Sequence, residues 1–284
     1  MNKRILMIAC CLSAMTLQAQ NSGLQLGLKG DVQLLQPEAT NQSATINNRS
    51  IGGGGALDIR YAWYKKLRGQ SELGFMVGWG IGYGGYSIEG TANSSFVNTD
   101  YYGNKMNYTT DATFQQTEQY WQNDFSLLLA FRYSGFVVQI GPRFIAPFTR
   151  KRDLTVTEAG ISAYYPDYGV EVNDELITGR IETPFRQTER TTANWYAIAF
   201  SIEAGWEWEI AGKSRIGLQA YCNVGTNNKY KKDSFTPFIQ VEPIADTTDP
   251  VPQVTVGWAD PLYTTPMYLD FGLRVYYVLP IGKL

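Results

Sequence analysis

The stretch WYAIAFSIEAGWEWEI, residues 195–210, sets Glu203, Glu207 and Glu209 among Tyr196, Ile198, Phe200, Ile202, Trp206 and Trp208. Carboxylates grouped in such surroundings can divide into a proton donor and a base, which is the chemistry of an acid/base catalyst. A buried carboxylate can equally be the partner of an arginine, because an unpaired buried charge is costly. The rest of the chain does little to extend the catalytic reading. It contains no histidine, so a nucleophile would lack its usual base. No Cys/His metal spacing occurs. IGGGGA, residues 51–56, is glycine-rich but lacks the lysine and helix of a phosphate loop.

The acidic and the oily residues of 195–210 alternate, and a period of two means a strand with unlike faces. The pattern occurs eight times, over 24–35, 52–64, 71–84, 121–133, 136–148, 195–210, 215–226 and 266–279. Charges fall on the second face of nearly every segment: Asp58 and Arg60, Arg132, Arg143, Arg215, then Asp270 and Arg274. The connections alternate too. Those at 65–70, 134–135 and 211–214 are short, and those at 36–51, 85–120, 149–194 and 227–265 are long. Ser134-Gly135 suits a two-residue hairpin that sets Tyr133 against Phe136.

Lys3 and Arg4, the apolar run Ile5–Leu17 and the sequence Leu17-Gln18-Ala19 form a secretory signal pattern. The expected organisation is a signal peptide over 1–19 and one domain over 20–284. The apolar run is too short to span a bilayer as a helix. Acylation at Cys10 or Cys11 is the runner-up for this segment. Losing Lys3 and Arg4 takes the net charge from −2 to −4, which excludes a nucleic-acid binder. Only Cys222 then remains, so no internal disulfide forms. No later segment is an apolar helix of membrane length, which leaves a soluble exported protein or a β-barrel.

Eight alternating strands with short turns at one end and long loops at the other describe an up-and-down antiparallel transmembrane barrel. Ten strands remain possible if parts of 149–194 or 227–265 enter the wall. A soluble lipocalin-like barrel would alternate as well, with its apolar face inward. Charge on the second face and aromatics near the strand ends favour apolar-out. Tyr196 and Trp206 are ten residues apart, about 25 Å along a tilted barrel axis, the height of the apolar band between aromatic girdles.

With the eight strands, the signal pattern and segments such as VVQIGPRF (137–144), the chain resembles the small outer-membrane barrels of Gram-negative bacteria, the OmpA-type transmembrane domain and its relatives. The resemblance covers nearly all of 20–284. It implies outer-membrane localisation, periplasmic short turns and extracellular loops. Outer-membrane barrel enzymes resemble one another in using a histidine, which this chain lacks. Only PIGKL follows the last strand, so no peptidoglycan-binding domain is expected there.

An eight-stranded lumen is just wide enough for side chains to fill. The expectation is an ion-pair network that blocks it, built from Asp58, Arg60, Arg132, Arg143, Glu203, Glu207, Glu209, Arg215, Asp270 and Arg274. Counting from the turns pairs Glu203 with Arg143 and Glu209 with Arg215. Glycines 74, 78, 80 and 82 should leave room for large side chains opposite. Arg150, Lys151 and Arg152, with Lys229, Lys231 and Lys232, stand at outer strand ends and are candidate contacts for lipopolysaccharide phosphate. Tyr86, Tyr101, Tyr102, Tyr108, Tyr164, Tyr165, Tyr168 and Tyr230 give the loops a binding-surface composition. LTVTEAGISAYY and ELITGRIE suggest a hairpin above the membrane. The expected function is non-enzymatic: a barrel without cofactor or metal, presenting loops to an extracellular ligand or protein. The alternatives are a small channel and an accessory part of a secretion or uptake machine.

Overall fold

The computed structural model describes residues 21–35, 38–39, 44–46, 50–100, 102–172, 178–192, 196–210, 214–227, 238–242, 253–258, 261–262 and 268–281. Residues 1–19, expected as a signal peptide, and Lys229, Lys231 and Lys232 lie outside them. Eight long strands carry the architecture: β1 (Asn21–Leu35), β2 (Ser50–Lys66), β3 (Ser71–Thr99), β4 (Lys105–Tyr133), β5 (Phe136–Tyr165), β6 (Ala197–Glu209), β7 (Arg215–Asn227) and β8 (Tyr268–Ile281). Each pairs antiparallel with the next. Leu24 of β1 opposite Leu279 of β8 closes the ring. Short strands at Ala44–Ile46, Val170–Val172 and Phe185–Thr191 join its upper edges. None enters the ring, so among the described residues the wall has eight strands, not ten.

Closure leaves no edge in the wall for another chain to pair with. Ser134 and Gly135 both have positive φ, 48° and 91°, the twisted turn that suits a right-handed hairpin. Alternation then assigns the faces. Leu28, Leu57, Trp79, Phe125, Ile198 and Leu273 point outward and are exposed, while Gln25, Arg60, Gln139, Glu203 and Arg274 are buried inside.

The connections 85–120 and 149–194, expected as loops, are largely strand. β3 and β4 run on together and turn within residues 100–104. These arms extend the alternation but invert its chemistry. On β4 the outward residues change from Thr109, Asp111, Gln115 and Gln119 to Trp121, Phe125, Leu127 and Leu129. The inward residues change from Met106, Tyr108 and Phe114 to Gln116, Glu118, Gln122 and Asp124 over the same stretch. The wall is therefore apolar outside below Trp121 and apolar inside above Phe114. Tyr83 and Trp121, 5.3 Å apart, and Phe144 and Tyr196, 5.5 Å apart, mark the upper limit of the outer apolar band. Trp63 with Phe75 and Phe136 with Trp206 mark the lower limit.

The upper interior forms its own core. Phe238 meets Phe114 at 4.8 Å, and Ile239 packs with Leu154, Val156, Ile145 and Tyr120. The paired strands Ile239–Glu242 and Gln253–Val256 thus cap the long-loop end. Of the expected upper hairpin, LTVTEAGISAYY is strand, but residues 178–182 of ELITGRIE are not. The returning strand is Phe185–Thr191 instead, with Arg190 opposite Lys151.

β5 reverses face twice. Thr149 opposes Trp121 while Pro147 opposes Gln122, which leaves Phe148 as an extra residue. A second extra residue, Thr157, follows at Thr113/Phe114. Proline has no N–H for the ladder and is at home at such a bulge. This bulge corrects the expectation for the Arg150–Lys151–Arg152 cluster: Arg150 and Arg152 turn inward and are buried, and Lys151 alone stays outside. Deleting Phe148 should remove the bulge and leave Thr149 opposite Trp121, with Arg150 still inward against Glu118. Urea unfolding in detergent should therefore show the pair kept and stability within about 1 kcal/mol of the parent, and a loss of about 3–5 kcal/mol, as for a broken buried ion pair, would contradict this role for the bulge.

Candidate functional site

The lumen is stratified, and its layers follow from which inward residue each strand supplies at each height. At the short-turn end Arg132 bonds Glu72 at 2.7 Å, lies 3.0 Å from Glu207 and covers the Tyr64 ring at 4.0 Å. Arg132, Glu72 and Glu207, with Gln70, Glu209 and Arg215, line a cavity of about 370 Å³. Above it stands an apolar collar of Ala62, Tyr64, Met76, Leu128 and Ala130, all buried.

The central layer is ionic. Arg60 donates to both oxygens of Glu203, at 2.7 and 2.8 Å, and also to Asp58 and Gln139 at 2.7 Å. Arg274 donates to Asp58 at 3.0 Å and to Gln25 at 3.1 Å, and its guanidinium lies over Tyr276 at 4.3 Å. Lys29 bonds Asp124 at 3.0 Å and sits 3.7 Å from Asp58. Arg143 grips Asp124 with two nitrogens. Four cations and three anions thus interlock. Arg60, Glu203, Gln139 and Arg274 are each at most 1 % exposed, so no water column passes among them. Glycine makes this density possible: a Cβ on Gly78 would come within 2.5 Å of Ser126 Oγ and 2.8 Å of Arg60 Cγ. Higher still, Tyr120 donates to Gln33 at 2.6 Å and Arg150 pairs with Glu118 at 2.5 Å. The apolar cap closes the top.

The structure buries Asp58, Arg60, Arg132, Arg143, Glu203, Glu207, Asp270 and Arg274 together inside the ring, as the alternation required. It changes the partners. Glu203 pairs with Arg60, not Arg143, because it sits opposite Gln139 while Arg143 sits opposite Ala199. That is four residues, or about 13 Å along the strand, a stagger that counting from turns omits. Glu209 does face Arg215 in register, yet Arg215 reaches Glu207 at 3.6 Å and Glu209 is exposed at the mouth. Asp270 accepts from Asn223 at 2.9 Å. Lys29, Asp124 and Glu72 were not among the expected network residues. Their alternation already put them inside, and only the register names their partners. Glu203 is thus a charge partner inside a packed layer, whereas Glu207, between Arg132 and Arg215, and Glu209 line the cavity at the short-turn mouth.

The upper arms sort the tyrosines. Tyr86 and Tyr108 are buried inside, whereas Tyr102, Tyr164 and Tyr168 are exposed near the arm tips. Tyr101 and Tyr230 lie outside the described residues. At the β3–β4 tip Asp100 accepts from the backbone of Tyr102 and Asn104 and from the Asn104 amide, at 2.8–2.9 Å. Tyr165 donates to Asp100 and Tyr168 to Asn104, both at 3.3 Å, tying the β5 tip to this turn. Partial burial opposes the charge on Asp100, but the Asn104 and Tyr102 hydrogen bonds outweigh it and hold the carboxyl below the usual carboxylate range.

No family model matches the chain, and no curated protein matches it. Solved structures align over most of their length. The outer membrane protease OmpT from Escherichia coli is 11% identical, covering 92% of this chain and 95% of its own, with a TM-score of 0.20. An outer membrane channel from Pseudomonas putida F1 is 10% identical, with 92% and 97% covered and a TM-score of 0.23. The translocator domain of the autotransporter NalP from Neisseria meningitidis is 9% identical, with 97% and 95% covered and a TM-score of 0.20. Likeness at that level carries no argument about fold or task, and the architecture rests on the strand register.

Removing the Glu203 carboxylate should leave Arg60 Nη2 without its acceptor and Asp58 as the carboxylate still bonded to this guanidinium. Glu203→Ala is expected to lose about 3–5 kcal/mol, and the double variant Arg60→Met/Glu203→Leu to recover most of it, both read from chemical unfolding. A single variant as stable as the parent would disprove the pairing. Asp100 has a depressed folded value, so its contribution is full above the ordinary carboxylate range and is lost as pH falls through that lowered value. Hydrogen exchange, corrected for its intrinsic pH dependence, should show the 96–108 tip loosening only in acid. In Asp100→Ala it should be loose at neutral pH as well.

Proposed function

We propose that this chain is a transmembrane β-barrel of a Gram-negative outer membrane, exported by its N-terminal signal and related to the OmpA-type barrels. It acts without catalysis by holding long β-arms outside the cell for contact with ligands, other cells or envelope components. The observation that carries this reading is the inversion of polarity along unbroken strands. A ring that is apolar outside between two aromatic girdles suits hydrocarbon. The same strands turn polar outside just above the upper girdle, as a wall leaving the bilayer must. The exposed tyrosines at the arm tips add a rigid, amphipathic contact surface.

The channel alternative has one observation in its favour, the cavity at the short-turn mouth. The collar, the ionic layer and the cap stand above it in series, which favours a closed tube.

Two experiments test the reading. Cysteine placed at Thr109, on the outer face of the β4 arm, should react with a membrane-impermeant maleimide on intact cells. Cysteine at Gln70, in a short turn, should react only after lysis. The reverse pattern would overturn the proposed orientation, and no labelling of Thr109→Cys before lysis would overturn surface exposure. Purified protein, shown to be folded by heat-modifiable migration, should be silent in planar bilayers. Steady conductance would establish the channel instead.

A further inference from the structure

The inward turn of Arg150 and Arg152 leaves a different set of cations on the outer face. Lys151 on β5 lies directly opposite Arg190 on the returning strand. Like charges directly opposed across a ladder repel. Both belong to the outward face, where Arg190 and Arg186 are exposed. Asp153 offsets part of this charge by accepting from Lys151 and Thr188, each at 2.7 Å. Arg186 stands opposite Thr155 on the same face, four residues beyond Arg190, or about 13 Å higher. Three cations and one anion leave a net charge of +2 on this patch.

Its height is the informative feature. Lys151 pairs with Gln119, two residues above Trp121 on the same outward face. That is one outward step, about 7 Å along the strand, beyond the upper girdle. Tryptophan rings settle at the membrane–water interface, at the level of the headgroups. The patch therefore faces the layer where outer-leaflet phosphates lie, and an anion between Lys151 and Arg190 would relieve their repulsion. An ammonium and a guanidinium fork together match a phosphate's point charge and its planar pair of oxygens.

We infer that Lys151 and Arg190, with Arg186 above them, form a binding site on the barrel's outer wall for the phosphate of an outer-leaflet glycolipid. The site rests on the proposed bilayer position. It replaces the three-residue run Arg150–Arg152 by residues from two strands, so chain neighbours contribute only one of its cations. The phosphate belongs to a lipid already anchored in the same leaflet, and the acyl chains of that lipid lie along Phe148, Phe144 and Trp121, which are exposed just below.

The test uses the full mature chain in phosphatidylcholine vesicles doped with lipid A, the phosphorylated glucosamine-disaccharide lipid, or with its dephosphorylated form. Insertion is checked first, by heat-modifiable migration and a blue-shifted tryptophan emission. Lipid retained after mild detergent extraction is then counted by native mass spectrometry. Parent protein should prefer the phosphorylated lipid, and Lys151→Ser/Arg190→Ser should reduce that preference roughly tenfold. Lys105→Ser, at the distant arm tip, should leave it intact. Equal retention of both lipids by inserted protein would overturn this site alone. So would an undiminished preference in the double variant. Addition of free inorganic phosphate at matched concentration should not displace the lipid, and displacement would reassign the site to a soluble anion. Failure to insert into any vesicle would overturn the bilayer position and the site with it.

Discussion

The constraint on which the rest depends is a charge-bearing interior whose central layer is too narrow for water. Eight strands close on a lumen that side chains alone can fill, and Arg60 sits at its centre with Asp58, Glu203 and Gln139 around one guanidinium. Each inward residue must then fit a neighbour from across the ring and satisfy its charge. That requirement explains the glycines of β3 beside Arg60 and Tyr64, since any larger residue there would displace the group it faces. It also explains why the cations are mainly arginines. A guanidinium can serve three acceptors at once, where an ammonium offers a single centre.

The second organising feature is the exchange of inside and outside along the strands. Backbone pairing runs unbroken from the lower girdle to the arm tips, so hydrogen bonding does not mark where one solvent ends. Side-chain chemistry does. Below Trp121 the wall presents apolar groups outward and ions inward. Above Phe114 it presents threonine, glutamine and aspartate outward and encloses an apolar core completed by Phe238 and Ile239. One continuous sheet thus solves two burial problems, and the bulges at Phe148 and Thr157 adjust which residues of β5 take part in each.

These features also rank the functional readings. Of the carboxylates that suggested acid/base chemistry, Glu203 and Glu207 are held by guanidinium partners and Glu209 stands exposed at the mouth. The collar, the ionic layer and the cap each obstruct a pore. The outer wall, the arm tips and the mouth cavity remain accessible, and the proposed interaction through surfaces draws on the first two.

The sequence by itself determined the strands, the closed antiparallel class and the inward or outward sense of nearly every residue in the ring. It could do so because a period of two couples each side chain to a face through the backbone, without reference to any partner. Glu203 and Arg60 were legible as inward charges on those grounds. The length of the arms was partly hidden, because the inversion of polarity near Trp121 looks like the end of a strand when apolar-out is assumed throughout. Only the tertiary structure decided that Glu203 meets Arg60, that Arg150 faces inward and that Lys151 meets Arg190. Those outcomes depend on stagger between strands and on a single extra residue at Phe148. Both are set by the way the whole ring closes, and Pro147 was the one local sign that alternation would break.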